Sequence, residues 1–278
     1  MPHPFDPGYA QPPFDSLCRE YPGADIYPPE DFRVEWGPIF HRGRLDGSAR
    51  VLVIGQDPGA HECIARRILV GEAGQRVQGF LARLGVTTSY VMLNAFVYPV
   101  YGQSGGNRHI GDEAIAAYRN RWLDAVLVDS RVEAVVTFGQ LADRAWRQWK
   151  QTPAGAASSI ASQALRHPTY PESSSKGNRQ KRAEAMRAML AQWNDGLEQL
   201  AAAIQHPDEP RDLVPYGEAL EPGDLAPIPE EDLPAGVPAW MRSVESWATR
   251  SGETTEAKRA TVVVTVPKTL RPWTPIEP

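Results

Sequence analysis

The chain has 278 residues, 42% of them hydrophobic and 23% charged, with a net charge of −5. That length accommodates one large domain with an extension, or two small domains, and no apolar stretch approaches the roughly 18 residues of a membrane span. The negative total argues against indiscriminate nucleic-acid binding, the two cysteines are too few for a disulfide framework or a four-thiolate cluster, and the six histidines show no paired metal spacing.

The first residues, MPHPFDPGYAQPP, are polar and Pro-rich and lack a basic-then-apolar signal pattern, so a cytoplasmic protein is expected. Residues 1–35 read as an irregular lead-in, and irregular structure is expected to continue through WGPIFHRGRLDG. VLVIG (51–55) is the first strand-type run, and Gln56, Asp57, Pro58 and Gly59 follow at once in a tight turn. GEAGQRVQGFLARLG reads as a helix with Val77, Phe80, Leu81 and Leu84 on one face and Gly85 as its stop. YVMLNA (90–95) is the second strand, and GDEAIAAYRNRWLDAVLVD is an amphipathic helix. VEAVVTF (132–138) is the third strand, and GQLADRAWRQWK follows as a helix with Trp146 and Trp149 on its core face. SQALRH (162–167) is a weaker fourth strand, and a long helix then ends near His206. The segment 207–278 is Pro-rich and acidic, yet it holds Trp240, Trp247 and the strand-like TVVVTVPKTL (261–270), so it reads as an extension packed on the core.

Strands alternating with helices predict an α/β fold, a four-stranded parallel sheet between helices, spanning residues 36–206. Ligands of such sheets bind at the carboxyl ends of the strands, where Gln56, Asp57, Asn94 and His167 fall. Asp57 can activate water or stabilise a cation, and His167 can donate a hydrogen bond to a developing anion. Asn94 can read a base edge with its amide. Thr169, Ser173, Lys176 and Arg179 offer hydroxyls and cations to phosphates. That combination suits cleavage of the bond between a base and its sugar, through an oxocarbenium-like sugar, on a nucleotide flipped out of the stack. The glycines at 55, 59, 71 and 74 do not fit a Rossmann or P-loop spacing.

With GQDPG after the first strand, MLN at the end of the second, and HPT after the fourth, the chain resembles the uracil-DNA glycosylase superfamily over about residues 36–205. LVGEAGQRVQGFLARLG and VVTFGQLADRAW are similar to segments of its thermophile-type branch, but the four cluster-binding cysteines of that branch are missing, so no iron–sulfur cluster and no other cofactor is expected. The resemblance implies a monofunctional DNA glycosylase acting as a monomer. In it Asp57 and His167 would be catalytic, and Gln56, Asn94, Gly59 and Leu69 would line the base pocket. Thr169, Tyr170, Pro171, Ser173, Lys176 and Arg179 would meet DNA, with Tyr170 or Pro171 where a leucine usually fills the duplex, and His61 and Glu62 are near enough to contact water or sugar.

The resemblance leaves the substrate open. Gly59 stands where the uracil-specific branch has a thymine-excluding tyrosine, and would leave that space free. Leu69 or a neighbour replaces a stacking phenylalanine, a loss of about 1–3 kcal/mol unless Tyr98, Tyr101 or Tyr170 substitutes. Uracil is the first expectation. A 5-substituted pyrimidine, whether thymine in a mismatch, 5-hydroxymethyluracil or a bulky modified cytosine of phage DNA met in defence, is the second. A non-catalytic DNA-binding module is the third.

Overall fold

Five consecutive residues of apolar type, Val51–Gly55, form β2, and all five are buried. Burial on both faces is the environment of a central parallel strand. β2 lies between β3 (Tyr90–Asn94) and β4 (Ala134–Phe138), parallel to both, and β5 (Ala161–Leu165) extends the sheet beyond β4. The far edge is β1 (His41–Gly43), antiparallel to β3, which gives the order β1-β3-β2-β4-β5. This computed structural model describes Tyr9 and residues 11–271.

The helices are α1 (Phe14–Arg19), α2 (Ala60–Ala65), α3 (Glu72–Arg83), α4 (Gly102–His109), α5 (Glu113–Leu127), α6 (Gln140–Trp149), α7 (Pro153–Ala157), α8 (Tyr170–Ser175), α9 (Arg179–Ala203) and α10 (Thr255–Ala260). Side chains along a strand alternate between faces. Leu52, Ile54, Val91 and Val135 therefore meet Trp122, Trp146 and Trp149 of α5 and α6 on one side. Val51, Val53, Met92 and Val136 meet Val77, Phe80, Trp193 and Leu197 of α3 and α9 on the other. The result is the three-layer α/β/α arrangement expected from the sequence, with one strand more. β1 escapes sequence reading because His41 and Arg42 are polar, although both are buried.

The lead-in is less irregular than expected. It forms α1, buries Phe14, Leu17, Tyr27 and Phe32, and pairs Phe32 with Val100 in an isolated bridge. The segment after residue 206 is tied down at several points. Asp208 accepts from the backbone N–H groups of Thr87, Thr88 and Ser89 at 2.8, 2.8 and 2.9 Å. Asp232 is buried with Arg42 at 2.6 Å and the Tyr90 hydroxyl at 2.5 Å. Ile228, Leu233, Trp247 and Ala248 form a small core of their own with Ala65 and Val70. Of TVVVTVPKTL only Val263–Val264 is strand, β7, antiparallel to β6 (Ala248–Thr249). Pro267 then leads into a turn of 3₁₀ helix at Lys268–Leu270. Among the described residues no helix is long and apolar enough to cross a membrane.

Candidate active site

The carboxyl ends of β2, β3 and β5 open on one edge of the sheet, and register places Gly55 beside Asn94. Pairing continues past the strands, with Ala95 N–H donating to Gly55 O and Phe96 N–H to Gln56 O, each at 3.0 Å. These bonds carry the Gln56–Asp57 turn forward as a fixed extension of the sheet. Gln56 folds over Gly139, and its Oε1 accepts from Leu141 N–H at 3.4 Å at the start of α6. A Cβ at Gly139, where φ is +96°, would stand 2.9 Å from the Gln56 Cδ, so glycine serves both the turn and the approach.

Asp57 accepts from Val100 N–H at 3.0 Å through Oδ2. Burial pushes its pKa up to about 6; the Val100 bond and the Arg250 charge pull the other way, and the Glu62 carboxylate adds to the rise.

Asn94 is 7% exposed, and its Oδ1 has no hydrogen-bond partner among the described residues. A Cβ at Gly55 would lie 2.3 Å from that oxygen and 3.6 Å from Leu69 Cδ1, so Asn94 and Leu69 share the space above Gly55. Turning the amide over would present its NH2 there instead. Leu69 is buried with φ of +52°, a strained conformation for a non-glycine residue.

His167 follows β5. Its Nδ1 accepts from the Thr169 N–H at 3.2 Å and lies 3.0 Å from the Thr169 hydroxyl. A ring that accepts at Nδ1 carries its neutral-form proton on Nε2. Burial, with the Arg76 guanidinium nearby, lowers its pKa to about 4 against an opposing pull from Glu172. Arg76, buried on α3, braces this turn by donating to Pro168 O at 2.5 Å and to both Glu172 oxygens at 3.0 and 2.9 Å.

Several expected contacts are placed differently. The space beside Gly59 is occupied, because a Cβ there would meet Glu62 Oε2 at 2.7 Å. Glu62 accepts from three backbone donors, Gly59 N–H at 2.9 Å, Val70 N–H at 3.0 Å and Gly71 N–H at 3.4 Å, and so knots the loop. His61 Nε2 accepts from Trp247 and Ala248 N–H at 3.3 and 3.2 Å, and its ring meets Trp247 edge-on, so it docks the C-terminal extension. Tyr98 is buried in the core with its hydroxyl on Pro22 O, and Tyr101 and Tyr170 lie under the guanidinium groups of Arg33 and Arg166. Pro171 is buried, which removes its side chain from a DNA-facing surface, whereas Ser173, Lys176 and Arg179 are exposed. Trp146 and Trp149 stack on each other in the core.

A family model of the uracil DNA glycosylase superfamily matches residues 42–201. The chain belongs to the uracil DNA glycosylase superfamily. A search of curated proteins finds no match. Membership brings a glycosylase-type action on DNA, and the matched segment contains Asp57, Asn94, His167 and Arg76. Arg33, Trp247 and Arg250 lie outside it. In this superfamily member Arg76 is the site residue hardest to see from sequence. Its only signal is three long polar side chains, Gln75, Arg76 and Gln78, on the buried part of an otherwise apolar helix. Among the described residues no three His, Cys, Asp or Glu side chains are grouped to hold a metal ion.

Proposed function

We propose that this superfamily member hydrolyses the N-glycosidic bond of a flipped-out pyrimidine in DNA, with uracil as the favoured base, and leaves an abasic site with the strand uncut. The observation that carries the reading is the opposed state of two groups at the carboxyl ends of β2 and β5, the strands on either side of β4. Near neutral pH Asp57 is a carboxylate and His167 is a neutral N–H donor. The C1′–N1 bond breaks with its electron pair leaving on the base. Asp57 stabilises the sugar cation and orients the attacking water, and His167 Nε2–H stabilises the negative charge at the base O2. Water adds to C1′, and its proton ends on the base. Asn94 reads the base edge with its unpaired amide oxygen or, turned, with its NH2. Gln56, Gly59 and Leu69 form the pocket wall, and Thr169, Tyr170, Ser173, Lys176 and Arg179 face the DNA backbone. The GQDPG and HPT motifs, without a set of four cysteines, support a cluster-free branch, and the reaction suits base excision repair by a cytoplasmic monomer.

A 5-substituted pyrimidine, as in modified phage DNA, is the second reading. Leu69 supports it, since an aliphatic side chain stands where a ring would stack on the base. The open space expected at Gly59 does not, because Glu62 fills it.

Oligonucleotides bearing uracil, thymine opposite guanine, 5-hydroxymethyluracil, 5-hydroxymethylcytosine or its glucosylated form, treated with protein and then alkali, separate the readings. Uracil is expected to be cut, and Asp57→Asn should slow single-turnover cutting by about 10²-fold or more. An unchanged rate in that variant would refute the assigned mechanism. Cutting confined to 5-substituted bases would establish the second reading, and tight binding without any product would make the protein a non-catalytic module.

A further inference from the structure

Asp57 accepts from the Val100 N–H, and the direction of that donor is set by residues outside the family segment. After β3 the chain runs through residues 97–101 and pairs with the lead-in. Ile39 N–H donates to Val97 O at 2.8 Å, Arg33 N–H to Pro99 O at 2.9 Å and Tyr101 N–H to Asp31 O at 2.7 Å, and Phe32 stands opposite Val100 in the antiparallel bridge. In an antiparallel pair bonded on both flanks, the two middle residues turn their own N–H groups outward. The Phe32 N–H accordingly goes to Pro28 O at 2.9 Å, and the Val100 N–H goes the other way, to Asp57 Oδ2 at 3.0 Å. Pairing with the lead-in therefore aims the donor that holds Asp57.

The lead-in is in turn fastened to the last turn of α4. Asp31 is buried, and its carboxylate meets His109 Nε2 at 2.8 Å and Arg108 Nε at 3.2 Å, with Arg108 Nη2 as a further donor. His109 Nδ1 lies 2.6 Å from Asp112 Oδ2. A ring with a carboxylate oxygen at each nitrogen donates from both, so His109 is an imidazolium. Burial lowers its pKa, but the bonds to Asp112 and Asp31 outweigh burial and raise it. Phe32 packs on the same ring, 5.2 Å between centroids. A Cβ on Gly105 of α4 would stand 2.9 Å from Val100 Cγ1 and 3.5 Å from Asp31 O, so the helix lies tight against both.

We propose that Asp31, clasped by His109 and Arg108, is a positioning residue for the reaction: it holds residues 31–33 in the register that points the Val100 N–H at Asp57. The lead-in, which lies outside the family segment, thereby sets the state of a catalytic group without touching substrate. The proposal rests on the glycosylase reading of Asp57, so the state of that carboxylate and the excision of a base are measured separately.

The full chain and its Asp31→Asn and His109→Leu variants are first compared by thermal melting. The Asp57 carboxyl, assigned with Asp57→Asn, is then titrated by carbon NMR, and single-turnover excision of uracil is followed at pH 5.5 and pH 8. The Val100 bond favours the carboxylate; without it burial and Glu62 raise the midpoint against the Arg250 charge alone. Both variants should therefore titrate Asp57 at higher pH than the parent, and should excise about eightfold more slowly at pH 5.5 with an unchanged rate at pH 8. The two substitutions alter charge in opposite senses, so a direct effect of charge would move the midpoint down in Asp31→Asn and up in His109→Leu. That split, an unmoved midpoint, or equal slowing at both pH values overturns the proposal. Adding Asp31→Asn to Asp57→Asn should slow excision no further, and a further loss would make Asp31 merely structural. Should Asp31→Asn fail to fold, Asp112→Asn, which strips His109 of a partner at a partly exposed position, replaces it with the same expected direction. If the midpoint moves as expected but no base is excised, the positioning stands and the glycosylase reading falls. If uracil is excised with the midpoint unmoved, the reverse holds.

Discussion

Asp57 and His167 show how environment rather than residue type assigns chemistry. Burial disfavours the charged form of each, which raises an acid and lowers a base. It brings Asp57 to about 6 and His167 to about 4. The pairing that the proposed mechanism uses, ionised carboxylate with neutral imidazole, therefore predominates above pH 6. Single-turnover excision should rise from pH 5 to 7 about tenfold, following the ionised fraction of Asp57, and should then stay level through pH 8, because His167 has already lost its proton. A fall near pH 6.5 would mean that an imidazolium is required. The same shift has a stability cost: the folded protein holds the Asp57 proton more tightly than the unfolded chain, so this group's contribution to stability declines as pH rises from about 4 to 6.

At the scale of elements, the site is held by the turns that leave the strands. The β2 turn is braced by Val100 and Glu62, and Gly139 after β4 leaves room for Gln56. The turn after β5 is braced by α3 through Arg76, which is nearly inaccessible and is shared between Glu72, Glu172 and the Pro168 carbonyl. Glu72 and Glu172 are partly exposed and Glu172 keeps Arg182, so removing the buried Arg76 costs about 1–3 kcal/mol, chiefly for the Pro168 carbonyl and the lost charge-assisted bonds. Arg76→Met should lose that much in urea unfolding and should slow excision further under conditions where it remains folded, because His167 loses its support. A variant as stable and as active as the parent would show that the turn holds itself.

Across the whole molecule, the segments outside the family match contribute to the core and pack on the loop after β2. Asp232, buried against Arg42 and Tyr90, ties the extension to the edge strand β1. Asp232→Asn should destabilise the protein by about 3–5 kcal/mol, and limited proteolysis should cut earlier after residue 206 than in the parent. Equal stability would mean that the extension is held by Asp208 and the small core around Trp247 instead. Two acidic residues of the extension, Asp224 and Asp232, are buried against Arg83 and Arg42, and Asp208 holds three backbone N–H groups from the surface, while Glu209, Asp212, Glu218 and Glu221 are exposed, as are Lys176 and Arg179.

From its sequence alone this protein is determined as an α/β chain with four parallel strands, its long helices, and the polar residues Gln56, Asp57, Asn94 and His167 at strand ends. These features are local: strand runs and helix faces follow from the period of side chains along the backbone, and a residue that ends a strand is placed by that strand. Tertiary structure alone decided the rest. β1 is a strand although its residues are polar, because His41 meets Tyr9 and Arg42 meets Asp232, 190 positions along the chain. Glu62 knots its loop through backbone donors, and His61 docks the C-terminal extension at Trp247 and Ala248. Buried polar groups must find partners, and nothing in the local pattern says which distant group will be brought within reach.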